Sequence, residues 1–249
     1  TFRMSTTFFS MLKYTSVVAI TGLGITFAMA VGGLDLSVGA VAGMSVTLSA
    51  MTMVIYDKSA PVAVGVVLLA GILIGCFNAF LIVGLKIPDL LATLASMFAI
   101  MGLKLVPVRG RSVSSGMMME DGSTAKGKFT DGFLKIDNGS IGPIPFAVVI
   151  WLVLTVACWI FLTRTTWGRA MYAVGSNPEA ALLAGIRVKL YRSLAYILSS
   201  LLASVSGLIL ASRIGQGDIS AGNSLLLDSV AVALVGTSVL AMGKPNAWG

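Results

Sequence analysis

The sequence predicts an all-α fold, a polytopic bundle of transmembrane helices, and three observations predict it. Of 249 residues, 57% are hydrophobic and 11% charged, where an ordinary soluble domain carries roughly 25% charged residues. Mean hydropathy is +0.96. The sparse charges leave uncharged runs at 14–34, 36–56, 59–85, 90–103, 138–163, 193–212 and 229–243. These runs are continuous rather than alternating, which is the pattern of membrane helices and not of barrel strands.

A helix needs about 20 apolar residues to cross the hydrocarbon. On that measure we expect seven spans, near 13–33, 36–56, 61–85, 89–107, 144–162, 193–212 and 227–242. The fourth reaches 107 only if Lys104 snorkels toward the interface. Gly, Ala and Ser recur within the runs, as in Ser199-Ser200, Ala203-Ser204 and Ser206-Gly207; small residues let helix backbones approach closely. The chain has no histidine, and its two cysteines, Cys76 and Cys158, sit inside apolar runs as packing residues. A zinc site, a disulfide scaffold and a histidine base are thereby excluded. The net charge of +7 reads as membrane-flanking charge rather than a nucleic-acid surface. The nearest approach to a phosphate loop, Gly236 to Gly243-Lys244-Pro245, lacks both the spacing and the hydroxyl residue. We therefore expect no catalysis in this chain.

Between the first two spans lies Gly32-Gly33-Leu34-Asp35-Leu36-Ser37-Val38-Gly39. A carboxylate inside a membrane region costs about 2.5–3.5 kcal/mol on insertion scales and marks a candidate site. Glycine-rich breaks expose backbone that can line a cavity. Asp35 could also simply cap the following helix. Gly33, Asp35 and Ser37, with Asn78 in the third span and Asp228 opening the last, form the candidate translocation path. Phe77, Phe80 and Phe98 also lie in spans, where an aromatic either stacks on a bound solute or packs.

Two polar segments interrupt the pattern. Residues 108–143 mix Gly, Ser, Lys and Asp, and include the glycosylation-type triplet Asn138-Gly139-Ser140; residues 163–192 carry five basic residues and one acid, Glu179. Both segments hold five Lys or Arg, so the positive-inside rule does not orient the chain. Within the second, Asn177 is a good N-cap, Pro178 suits the first helical position, and Glu179 complements the helix dipole. Ala180 and Ala181 continue a helix that Gly185 is placed to end. A helix this short must dock against something, either a partner's groove or this protein's own helices. Thr1 at the start and Trp248-Gly249 at the end give both termini the look of cut ends.

These motifs resemble those of the permease subunits of bacterial sugar-type ABC importers, the ribose and autoinducer-2 permease group. That family's Gly-Gly-Ile-Asp-Leu-Ser-Val-Gly is met at Gly32–Gly39 with Leu34 for Ile. Its Gly-Arg…Tyr-Ala-x-Gly-x-Asn-x-x-Ala-x-x-x-Gly-Ile stretch is met at Gly168–Ile186, its Leu-Asp-x-x-Ala at Leu227–Ala231, and its Gly-Thr-Ser at Gly236–Ser238. The similarity runs from about residue 8 to the end.

The resemblance implies a single permease domain over 1–249, holding about seven of the family's approximately ten spans at one span per ~20 apolar residues. It implies a multi-pass protein of the bacterial cytoplasmic membrane. Its partners would be a second permease subunit, two ATP-binding subunits or one fused ATPase, and a periplasmic binding protein that delivers a monosaccharide or similar small polar solute. The chain itself would hold no cofactor, ATP and Mg being bound by the ATPase. The helix of Asn177, Pro178, Glu179, Ala180, Ala181 and Gly185 would couple to that ATPase. Residues 163–192 would then be cytoplasmic and 108–143 periplasmic, with Asp35 and Lys86 on the cytoplasmic side.

The chain departs from the family at Leu226, where Glu is common, at Val235-Gly236 for Gly-Gly, at Ala241–Pro245 in a Gly-rich turn, and at Met101 in place of Arg. An ATP-independent secondary transporter and a degenerate, non-transporting subunit stay open as alternatives.

Overall fold

A computed structural model describes residues 4–119, 122–239 and 244–248. Among these residues ten α-helices follow in order, beginning with α1 (Met4–Ala30), which starts earlier than the uncharged run because Phe8, Phe9 and Met11 extend its apolar surface. It ends where Gly32 takes φ +79°, a left-handed conformation that suits glycine. An extended stretch leads to α2 (Val38–Ala50), continued by a π-helical turn over Met51–Ile55. Next come α3 (Ala60–Ala79), with Pro61 in its first turn and a second π-helical turn over Phe80–Gly84, and α4 (Asp89–Leu105).

The first polar segment is not featureless. It contains α5 (Asp131–Asn138), capped by Thr130, and a small hairpin of β1 (Ser140–Ile141) and β2 (Ile144–Pro145). After α6 (Phe146–Arg164) the second segment forms two helices, α7 (Thr166–Ser176) and α8 (Pro178–Leu183), where the sequence reading expected one. The Thr165 hydroxyl starts α7 by accepting from the Gly168 N–H at 3.1 Å. The chain closes with α9 (Val188–Ile214) and α10 (Leu225–Val239).

Among the described residues, five helical stretches are long and apolar enough to cross a bilayer, where the sequence led us to expect seven spans: Thr7–Ala30, Val38–Ile55, Ala60–Gly84, Phe146–Arg164 and Val188–Ile214. At 17 and 15 residues, α4 and α10 are shorter. The expected continuation of the last span over 240–242, and the departure at Ala241-Met242-Gly243, lie outside the described residues.

The bundle is assembled around α9, which packs on α1, α2, α3, α5 and α7. Small residues set these approaches. A Cβ on Gly24 of α1 would lie 2.8 Å from the Ser199 carbonyl, and one on Gly75 of α3 would lie 2.6 Å from the Ile197 Cα. On α3 the buried positions Ala63, Val67, Gly71, Gly75 and Asn78 recur about every fourth residue, while Leu69, Leu73 and Phe77 are exposed. The inner face is thus small and the outer face bulky, the pattern of a membrane helix whose packing is driven by close contact. Between α1 and α9 the Thr21 hydroxyl donates to Ser206 Oγ at 2.8 Å. Almost all of α2 is buried, which accounts for its apolar character all round.

Beyond α9 the chain turns back. Gly217 lies against Ala50 and Val113, the Ala221 carbonyl against Gly43, and Gly222 against Gly39. From the level of Ala50 to that of Gly39 is eleven residues of α2, a descent of about 16 Å at helical rise, so residues 217–222 run into the bundle before α10 begins. This segment meets Lys104, which does not snorkel. Its side chain is buried, 3% exposed, and donates toward the Ala221 carbonyl at 3.5 Å. The absence of a side chain at Gly43 makes the space for its ammonium. Near the same end, buried Asp137 of α5 takes Lys13 at 2.8 Å and Arg213 at 3.0 Å, tying α1, α5 and α9 together.

Candidate functional site

Asp35 is fully buried and hydrogen-bonded at both oxygens. Its Oδ1 accepts from the Ser37 N–H at 2.9 Å and the Ser37 hydroxyl at 2.6 Å, and its Oδ2 accepts from the Ser199 hydroxyl of α9 at 2.7 Å. Ser37 Oγ in turn accepts from Asn78 Nδ2 of α3 at 2.9 Å. One carboxylate thereby joins the 31–37 linker to α2, α3 and α9. The helix-cap reading of Asp35 does not hold in its simple form. Ser37 is the residue at the N-cap of α2, and no side chain caps that helix; Asp35 instead holds Ser37 in a two-residue turn.

Gly33 sits beside this network, in a different polar group. A Cβ there would collide with the Tyr196 hydroxyl and the Asp89 carboxylate. Asp89 of α4 is bound by Arg192 Nη2 at 2.6 and 2.8 Å. The linker therefore lies between two polar contacts of α9, Ser199 on one side and Tyr196 with Arg192 on the other. Four predicted path residues, Gly33, Asp35, Ser37 and Asn78, meet in this region. Asp228 does not join them: it is exposed on the first turn of α10 and lines a separate cavity of about 720 Å³ with Tyr14, Arg213 and Ser224. Phe77, Phe80 and Phe98 are exposed on the surface of this chain, so they do not face the interior of its bundle. Ser199, Asp89, Arg192 and Tyr196 were not singled out by the sequence; an acid at a span start and an Arg four residues before a Tyr gave the available signal.

The second predicted group forms a defined motif. Asn177 Oδ1 accepts from the N–H groups of Glu179 and Ala180, both at 3.0 Å, with Pro178 as the first residue of α8. At the other end Ile186 N–H reaches the Ala181 carbonyl at 2.9 Å and Gly185 N–H the Leu182 carbonyl at 3.0 Å, with Gly185 at φ +81°. This is a Schellman closure, which needs a left-handed residue at the position Gly185 occupies. Ala181 turns inward into the cluster of Met171, Val174 and Ala195, while Leu182 and Leu183 are 65% and 89% exposed.

The two groups are mechanically joined. A Cβ on Gly175 of α7 would strike the Ala30 carbonyl, and Gly32 rests on the Gly175 backbone. The linker carrying Asp35 is thus seated directly on the helix that precedes α8. Tyr172, one turn earlier, donates to the Pro245 carbonyl at 2.6 Å, and burial raises its phenol above the ordinary value.

Helices long and apolar enough to cross a bilayer, a buried polar network at Asp35 and a short capped helix outside those stretches define a class: a multi-pass helical membrane protein. The family described as branched-chain amino acid transport system, permease component, matches residues 7–244, and the chain belongs to that family. It is 32% identical to the ribose import permease protein RbsC of Haemophilus influenzae over 240 residues, 96% of this chain and 71% of that protein. It is 35% identical to the probable ABC transporter permease protein y4mJ of Sinorhizobium fredii, covering 92% of this chain and 65% of that one. It is 29% identical to the xylose transport system permease protein XylH of Escherichia coli, covering 96% and 73%. The chain therefore spans about two thirds to three quarters of the length of these relatives. No solved structure matches it.

Proposed function

We propose that the chain is the permease subunit of an ATP-driven importer in a bacterial cytoplasmic membrane, carrying a monosaccharide or similar small polar solute. The observation that carries this reading is α8: a capped, closed six-residue helix that keeps one face on the bundle and presents Leu182 and Leu183 outward. Exposed leucines on so short a helix call for a groove to receive them, and an ATPase subunit is the partner that an ABC permease requires. The relatives named for ribose and xylose support the solute class.

In this reading the α8 end is cytoplasmic and residues 108–143 are periplasmic, where a solute-binding protein delivers its cargo. ATP and Mg belong to two ATPase subunits or one fused subunit, and a second permease subunit completes the path. Nucleotide-driven motion of α8 passes through Gly175 to the Ala30–Gly32 turn. From there it reaches the Asp35, Ser37, Asn78 and Ser199 network, which moves the start of α2 against α3 and α9.

Uptake of labelled ribose or xylose in cells that also express the cognate ATPase and binding protein tests this reading. Leu183→Asp and Glu179→Lys are expected to lower uptake and ATPase copurification by about tenfold or more, the effect of losing roughly 1.4 kcal/mol of docking energy. Uptake that persists in ATP-depleted cells and follows a proton or sodium gradient would overturn it.

A further inference from the structure

We propose that the cleft between the starts of α4 and α9 binds the phosphate headgroup of an anionic phospholipid. The cleft, about 390 Å³, is lined by Lys86, Lys189 and Arg192 with a single acid, Asp89, beside the apolar side chains of Ile82 and Ile87. Asp89 is already engaged by Arg192 at 2.6 and 2.8 Å, so its charge is spent within the protein. Lys86 and Lys189 are exposed and have no carboxylate partner among the described residues. The Nε–H of Arg192 is buried and has no acceptor in the protein.

A helix start adds to this surplus of positive charge. Neither Pro88 before α4 nor Arg187 before α9 provides a side-chain cap; at α9 backbone carbonyls already take the Val188 and Leu190 N–H groups, so the 17-residue α4 is the helix whose first turn adds free N–H groups beside the cleft. Helix starts of this kind attract phosphate oxygens. Lys86 is held at φ 59° in the turn that closes the α3 span, which fixes its place at the rim.

The apolar surroundings select a lipid over a free anion. Leu85 and Leu190 are exposed next in sequence to the cleft residues Lys86 and Lys189, at the ends of stretches long and apolar enough to cross the bilayer, where acyl chains would lie. Basic pockets between spans at this level hold acidic headgroups. A zwitterionic headgroup carries its own cation, which Lys86 and Lys189 would repel. The inference holds whichever solute the protein carries.

The full chain, purified in detergent and stripped of lipid, can be melted with added phosphatidylglycerol, phosphatidylcholine or inorganic phosphate. Phosphatidylglycerol is expected to raise Tm by several degrees, the other two not. K86Q/K189Q should lose at least half of that shift, whereas K126Q/K128Q, which removes equal charge at the opposite end, should keep it. Salt near 0.5 M should suppress the shift in the wild-type chain, as screening at that ionic strength demands. An equal shift with phosphatidylcholine overturns headgroup recognition. A shift reproduced by inorganic phosphate alone makes the ligand a free anion and overturns the lipid. Undiminished binding by K86Q/K189Q overturns the site. Native mass spectrometry of the wild-type chain is a reading that needs no variant: retention of phosphatidylglycerol against phosphatidylcholine exchange is expected, and its ready loss counts against the proposal.

Discussion

Asp35 shows how much a single side chain can hold. Its two oxygens take three hydrogen bonds from donors on the linker and on α9. Asp35→Asn would keep the shape but turn an NH2 toward a hydroxyl or amide donor. Leaving a buried donor without an acceptor costs about 1–3 kcal/mol, so a lower Tm and lost uptake are expected; a variant that melts like the wild type would show that the network does not hold the linker. Gly33 has the opposite constraint, since nothing larger fits between the linker and Tyr196. Gly33→Ala should destabilise by about 1–3 kcal/mol through overpacking, read as a drop in melting temperature and in yield. Of these two residues the sequence marked both, by a carboxylate and glycines in an apolar context. It did not mark Ser199, because one serine in a serine-rich helix carries no sign of what it faces.

At the scale of elements, α8 was the most legible. Its cap, its proline and its closing glycine act within a few residues of one another, so local chemistry writes the helix directly. Asn177→Ala removes the acceptor for two N–H groups and should cost about 1 kcal/mol of local stability, seen as faster amide exchange at Glu179 and Ala180 with the rest of the bundle unchanged. Exchange that stays slow would mean the helix is held by packing of Ala181 instead. By contrast α7 escaped notice, since its start depends on Thr165 and its inner face on Met171 and Val174, which are buried only once they pack with Ala195 of α9. Asp228 was grouped with the path as a carboxylate at the opening of a span, and the geometry of α10 puts it on a different surface.

Across the whole molecule, α9 is the axis to which the other helices are fitted. Gly75→Leu would push α3 away from the Ile197 backbone; loss of monodisperse protein in detergent is the expected result, and normal elution would refute close packing as the organising contact. Lys104→Met tests the inward segment at 217–222. A buried ammonium that meets a carbonyl at 3.5 Å rather than a carboxylate is expensive, so the apolar replacement should raise Tm, and a fall would mean that the cation secures the segment.

The sequence by itself determined that the chain lives in a bilayer, that it is helical, where five of the seven expected spans lie, and that Asn177 caps a short helix which Gly185 closes. Each of these follows from hydrophobicity summed along the chain or from hydrogen bonds between near neighbours. Only the tertiary structure decided that Asp35 faces Ser199, that Lys104 turns inward, that Arg192 closes on Asp89, and that the phenylalanines of α3 and α4 face out. Those outcomes depend on which glycine lets which backbone approach, and residues more than a hundred positions apart in sequence meet only once the helices have packed.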